Sequence, residues 1–113
     1  MSHATTSASL DVMLGILGDS RRRRILIAVL NQNPRDEDEF TPDKITTDEM
    51  DDAEVESLKT QLHHTHLPKL ADAGYLDWDP DTGVIRRGPN IDEIAPLLTL
   101  MSDHADELPY DWP

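Results

Sequence analysis

The sequence contains no cysteine. This excludes disulfide frameworks, thiolate metal sites and thiol chemistry together, and argues against a secreted, disulfide-stapled domain. No apolar run approaches the roughly 20 residues needed to cross a bilayer. The opening MSHATTSAS has neither the basic start nor the apolar centre of a signal peptide, so a cytoplasmic location is expected. No phosphate loop, nucleophile elbow or cofactor fingerprint is present. Carboxylates are so abundant that no Asp or Glu pair stands out as an acid and base. No catalytic residue, cofactor or small-molecule substrate is therefore expected, and no enzyme. There is no internal repeat.

Lysine is scarce, being confined to Lys44, Lys59 and Lys69, and aromatic residues make up 4% of the chain. Acids, mostly Asp, number 23 against 10 basic residues, giving a formal charge of −13. A compact chain so charged repels itself at low ionic strength, and the repulsion fades in molar salt, where the Debye length is about 3 Å. Asp excess, few lysines and few aromatics together resemble proteins that work in salt-rich cells. At 113 residues, a single domain is expected.

Residues 1–9 are small and polar, and are expected to be disordered until docked. LDVMLGILG places Leu10, Met13, Leu14 and Leu17 at helical spacing, in a short helix closing at Gly18. Asp19 or Ser20 can cap the next helix, RRRRILIAVL, which carries Ile25, Leu26, Val29 and Leu30 on one face. Arg21 to Arg24 sit at the positive end of that helix dipole, where acids are favoured. Ion pairs with the surrounding acids, or a phosphate or partner contact, would account for them.

Residues 31–52 have no sustained period, two prolines and many acids, so an exposed connection is expected, with one helical turn capped by Thr41 ahead of Pro42. A helix then runs from about Ala53 to Ala73, with Val55 central to its buried stripe and Gly74 closing it. Pro68 must bend that helix or restart it. YLDWDPDTGVIRR predicts a two-stranded hairpin with Tyr75, Leu76 and Trp78 on one strand and a turn over Asp79–Gly83. Asn90 can cap a last helix bearing Ile91, Ile94, Leu97, Leu98 and Met101, with Pro96 kinking it or marking its start. Residues 105–113 are expected to be an acidic tail.

The order is mainly α with a small β-hairpin wing, the layout of a winged helix-turn-helix over residues 10–104. LGDSRRRRILIAVL resembles the LGDPTRRRILELL opening of the ArsR-type winged-helix repressors, and HTHLPKLADAGYL resembles their SHHLKKLREAGLV. With the DWDPDTGVIRR wing, the chain is also similar to a family of haloarchaeal winged-helix domains. The resemblance implies transcription regulation through DNA binding, and pairing through the terminal helices. It departs from the repressor pattern at residues 34–50, where an acidic, proline-broken stretch replaces the second helix.

Stepping about 100° per residue from Val55 brings Leu58, Leu62, His66 and Leu70 inward. The same steps turn Ser57, Thr60, Gln61, His64 and Pro68 outward, the face a winged helix offers to DNA. Ser, Thr, Gln and His side chains can bond base edges or phosphates, and Arg86 and Arg87 on the wing can reach the backbone. The acidic balance works against this, since non-specific affinity comes mainly from Lys and Arg. His63 and His66 could supply two metal ligands, with Asp103 or His104 more distant, but no full set is apparent and no metal is expected. A boundary His66 beside exposed His63 and His64 fits the residues better. The apolar first and last helices favour a homodimer. A second function remains open: a winged-helix protein-interaction module without DNA docking, using Arg21–Arg24 or the acidic loop.

Overall fold

The computed structural model describes residues 9–40 and 52–113. The N-terminal disorder expected of residues 1–8 and the turn expected at Thr41 and Pro42 lie outside these described residues. Five helices and a small three-stranded antiparallel sheet make up most of them.

Helix α1 (Leu10–Ile16) starts where the Ser9 hydroxyl accepts the Val12 amide at 3.2 Å, satisfying one of the four unpaired N–H groups of a helix start. Helix α2 (Ser20–Asn31) is capped by Asp19, whose Oδ1 accepts the Arg21 amide at 2.8 Å. Ile25, Leu26 and Val29 are buried along it, and Leu30 packs at the margin.

The long rod expected at 53–73 forms, in three sections: α3 (Asp52–Gln61), a π turn (Leu62–His66) and α4 (Leu67–Asp72). Pro68 gives the turn its physical reason. In a regular helix its ring would crowd the His64 carbonyl and leave that acceptor without an N–H. Widening the preceding turn, so that the Leu67 amide donates to the Leu62 carbonyl five residues back, keeps the axis continuous. The buried stripe lies further along than expected. Val55 and Leu58 are half-buried, whereas Leu62, His66, Leu67 and Leu70 are enclosed.

Gly74 ends the rod in the left-handed region at φ 82°. The Tyr75 amide donates to Leu70 O at 3.1 Å and the Gly74 amide to Ala71 O at 3.0 Å, a Schellman closure. Asn90 was expected to cap α5 (Ile91–Asp103), but its side chain makes no such bond. It donates instead to Ala73 O at 3.1 Å, stapling the end of the rod to the start of the last helix. Gly88 admits the close approach of these segments: a Cβ there would lie 2.7 Å from Leu76 N and Tyr75 C.

Strands β2 (Leu76–Asp79) and β3 (Val84–Arg87) form the expected hairpin, pairing Leu76 with Arg87 and Trp78 with Ile85. A third strand was not expected. Arg35 and Asp36 form β1, pairing with Ile85 and Val84, and a 3-10 turn follows over Glu37–Phe40. Part of the stretch taken as an exposed connection therefore belongs to the sheet, in the order β1-β3-β2. Two residues carry no alternation that a sequence pattern could register, and the free edge of β3 makes the strand.

The C-terminal stretch is also more ordered than an acidic tail. After a short 3-10 turn at Ala105–Glu107, Trp112 packs against the core and lies under the Arg23 guanidinium, 5.8 Å from its ring centroid. One hydrophobic core joins α1, α2, the π turn, α4, the hairpin and α5, and Leu26, Val29, Leu67, Leu70, Ile85 and Ile94 are completely enclosed in it. No helix among the described residues is long and apolar enough to cross a membrane.

Candidate functional site

Along the rod, Ser57, Thr60, Gln61 and His64 are exposed, on the side away from Leu62, His66 and Leu70. The hairpin follows directly after Gly74, and its Arg86 is exposed in a shallow concavity shared with Asp77, Asp79 and Thr82. These positions match the expected outward face. Two of the candidates, however, are already engaged within the chain. The Gln61 side-chain oxygen accepts from Nη1 of Arg21. Arg87 turns back onto the end of α2, where Nε donates to Val29 O at 3.2 Å and Nη2 to Leu30 O at 2.7 Å. A guanidinium placed on the last carbonyls of a helix meets its negative end, which explains why Arg87 is drawn inward while Arg86, one residue earlier on the strand, faces the opposite side.

The arginine run has the same explanation one helix earlier. Arg22 donates through Nε to Ile16 O at 2.7 Å and through Nη2 to Gly15 O at 3.1 Å, and Arg23 donates through Nη1 to Leu17 O at 2.7 Å. These are the carbonyls at the end of α1. The arginines stand at the unfavourable end of their own helix and serve the favourable end of the one before it. Arg22 and Arg23 are thereby bonded to the end of α1, and Arg22 also faces the Asp19 carboxylate.

The three rod histidines have separate surroundings. His63 pairs with the carboxylate of Glu37, which also accepts from Trp78 Nε1 at 3.4 Å, and the His63 and Trp78 rings meet edge to face at 5.6 Å and 85°. Glu37 is 6% exposed, a buried carboxylate in a stretch whose sequence promised solvent. His64 is exposed. His66 is buried, with Nδ1 3.4 Å from Arg22 Nη1, and Nε2 3.5 Å from Arg21 Nη1 and 3.9 Å from Asp19 Oδ2. Burial, reinforced by repulsion from Arg22 and Arg21, lowers the His66 pKa against the opposing pull of Asp19. Burial works against ionising Asp19, but the Arg21 amide, His66, Arg22 and Arg21 outweigh it and hold that carboxyl below its ordinary value. His63 and His66 thus face different partners, and His104 bonds Glu107 at 2.9 Å. Among the described residues no group of three or more His, Asp or Glu is placed to hold a metal ion.

With this geometry in place, the chain can be set beside known proteins. A family model, the domain of unknown function DUF7344, matches residues 14–86, from α1 through the outward face of the rod to Arg86. The chain belongs to that family. No curated protein and no solved structure matches it.

Proposed function

We propose that the domain is a winged helix of the ArsR-like kind that docks duplex DNA as a transcriptional regulator, working as a homodimer at high salt. The observation that supports this is the pairing of one exposed polar rod face, Ser57, Thr60 and His64, with a hairpin that presents Arg86 directly after it. Hydroxyl and imidazole groups at those spacings lie along one side of a helix and suit base edges, while a strand-borne guanidinium suits a flanking phosphate. Gln61 and Arg87 are left out of the proposed interface because both are bonded within the chain. The charge of −13 disfavours approach to DNA at low salt. In molar salt counterion release contributes little for any protein, so docking rests on shape and base contacts.

The test is capture of genomic duplex fragments in molar KCl, followed by sequencing. Wild-type protein is expected to retain fragments sharing a motif, and the Thr60→Ala/His64→Ala variant to lose them while keeping its helical circular dichroism. Retention of no duplex at any salt by folded protein overturns the proposal.

A second function, docking of a protein partner without DNA, has its own support. Leu10, Val12, Leu14 and Leu100 are each at least 50% exposed, large apolar side chains on the terminal helices that are open to a partner. The same side chains support the homodimer in the first proposal, so duplex retention separates the two.

A further inference from the structure

The junction between α1 and α2 is joined to the rod through one imidazole. His66, 4% exposed, presents each ring nitrogen to a guanidinium, Nδ1 to Arg22 and Nε2 to Arg21, with Asp19 beyond Nε2. A neutral imidazole has one bare nitrogen and one N–H. With Nδ1 bare it accepts from Arg22, and the Nε2 proton faces the Asp19 carboxylate. A second proton converts Nδ1 into a donor aimed at a donor, and sets three cations against one carboxylate around a buried ring at a part-exposed junction.

We propose that His66 is a proton-operated latch: neutral, it ties the α1–α2 junction to the π turn of the rod, and protonated, it releases Arg22 and loosens that junction. Arg22 is also the residue that holds the Gly15 and Ile16 carbonyls, so its displacement opens the end of α1 as well. The π turn contributes by carrying the latch at the point where the rod's backbone spacing is already widened. The charged groups facing His66 are Asp19 from the junction and Arg21 and Arg22 from α2, while His63 on the rod itself is turned to Glu37. The latch is independent of the DNA reading and is measured on the free protein.

The direction of the pH response follows from linkage. Because the folded state holds the His66 pKa below its ordinary 6.5, the unfolded chain binds the proton first as pH falls. The stability contributed by neutral His66 is complete above that ordinary value. It is lost progressively as pH falls from there through the lower folded value, and below both the loss is constant. Asp19, also lowered, adds a separate loss at more acid pH, as the solution passes its ordinary 3.8 and then its folded value.

The experiment is an NMR pH titration of the full chain, wild type and His66→Asn, following imidazole and backbone amide signals together. The His66 ring is expected to titrate below the ordinary histidine value. The amides of Gly15, Ile16, Leu17 and of 61–67 should shift at its midpoint, those of the β2–β3 hairpin should stay, and the coordinated shift should vanish in the variant. Titration of His66 at the ordinary value overturns the latch. So does its titration without movement at Gly15–Leu17, or loss of all native signals at that midpoint. If His66→Asn does not fold, the wild-type titration decides alone.

Discussion

Arg86 and Arg87 are adjacent on β3, on opposite faces of the strand, and the structure gives them opposite duties. Replacing Arg87 by alanine removes two charge-assisted hydrogen bonds, to Val29 O and Leu30 O, at the end of α2. A hydrogen bond from a charged group contributes about 1.5–3 kcal/mol when well enclosed. An exposed cation at a helix end contributes only about 0.3–1 kcal/mol. The Arg87 side chain stands between these cases, exposed along its length with its head on the carbonyls, so a net loss of about 1–2 kcal/mol is expected. For a domain of this size that lowers Tm by roughly 4–8 °C. Arg86→Ala should stay within about 0.5 kcal/mol of wild type, as surface changes away from such contacts do. Thermal unfolding followed by circular dichroism at matched salt compares the two. Arg87→Lys should recover only part of the loss, because an ammonium cannot present the two-pronged donor geometry of a guanidinium. Equal losses for Arg86→Ala and Arg87→Ala, or an Arg87→Ala variant as stable as wild type, would refute the assignment of Arg87 to the end of α2.

Tyr75→Phe should be neutral or stabilising by up to about 1 kcal/mol in urea unfolding, because the hydroxyl is enclosed with no partner among the described residues, and a clear loss of stability would show that it is bonded. Leu14→Glu places a charge on the exposed side of α1 and should shift the sedimentation mass from dimer to monomer without loss of helix; a wild type that is monomeric at every concentration tested contradicts the dimer. Raising KCl from about 0.1 M to about 1 M shortens the Debye length from about 10 Å to about 3 Å and relieves the self-repulsion of a −13 chain. The Tm should therefore rise with KCl, and a flat or falling response argues against adaptation to salt.

What the sequence made legible is what rests on local physics. The Asp19 cap, the stripe on α2, the Gly74 closure and the hairpin turn depend on residues within one or two helical turns of each other. The outward placement of Ser57, Thr60 and His64 follows from the same periodicity. The unexpected features depend on partners far along the chain. β1 exists because β3 has an open edge about fifty residues later, and Glu37 is buried because the same pairing sets it beside Trp78 and His63. The Arg22, Arg23 and Arg87 guanidiniums find carbonyls, and a carbonyl is present at every position, so no residue pattern announces the match. Trp112 looked like the end of a tail because its counterpart, Arg23, lies almost ninety residues away. The π turn is intermediate: Pro68 signalled a disturbance, and only the backbone shows that it is met by widening rather than by a break.

We propose docking of duplex DNA on the outer face of the rod together with Arg86. The most direct measurement is fluorescence anisotropy of a labelled captured fragment titrated with wild-type protein and with Thr60→Ala/His64→Ala in molar KCl. Saturable binding by the wild type is expected, with a loss of at least about tenfold in affinity for the double variant, as when base contacts are removed. Equal binding by the two proteins, or none by a folded wild type at any salt, would contradict it.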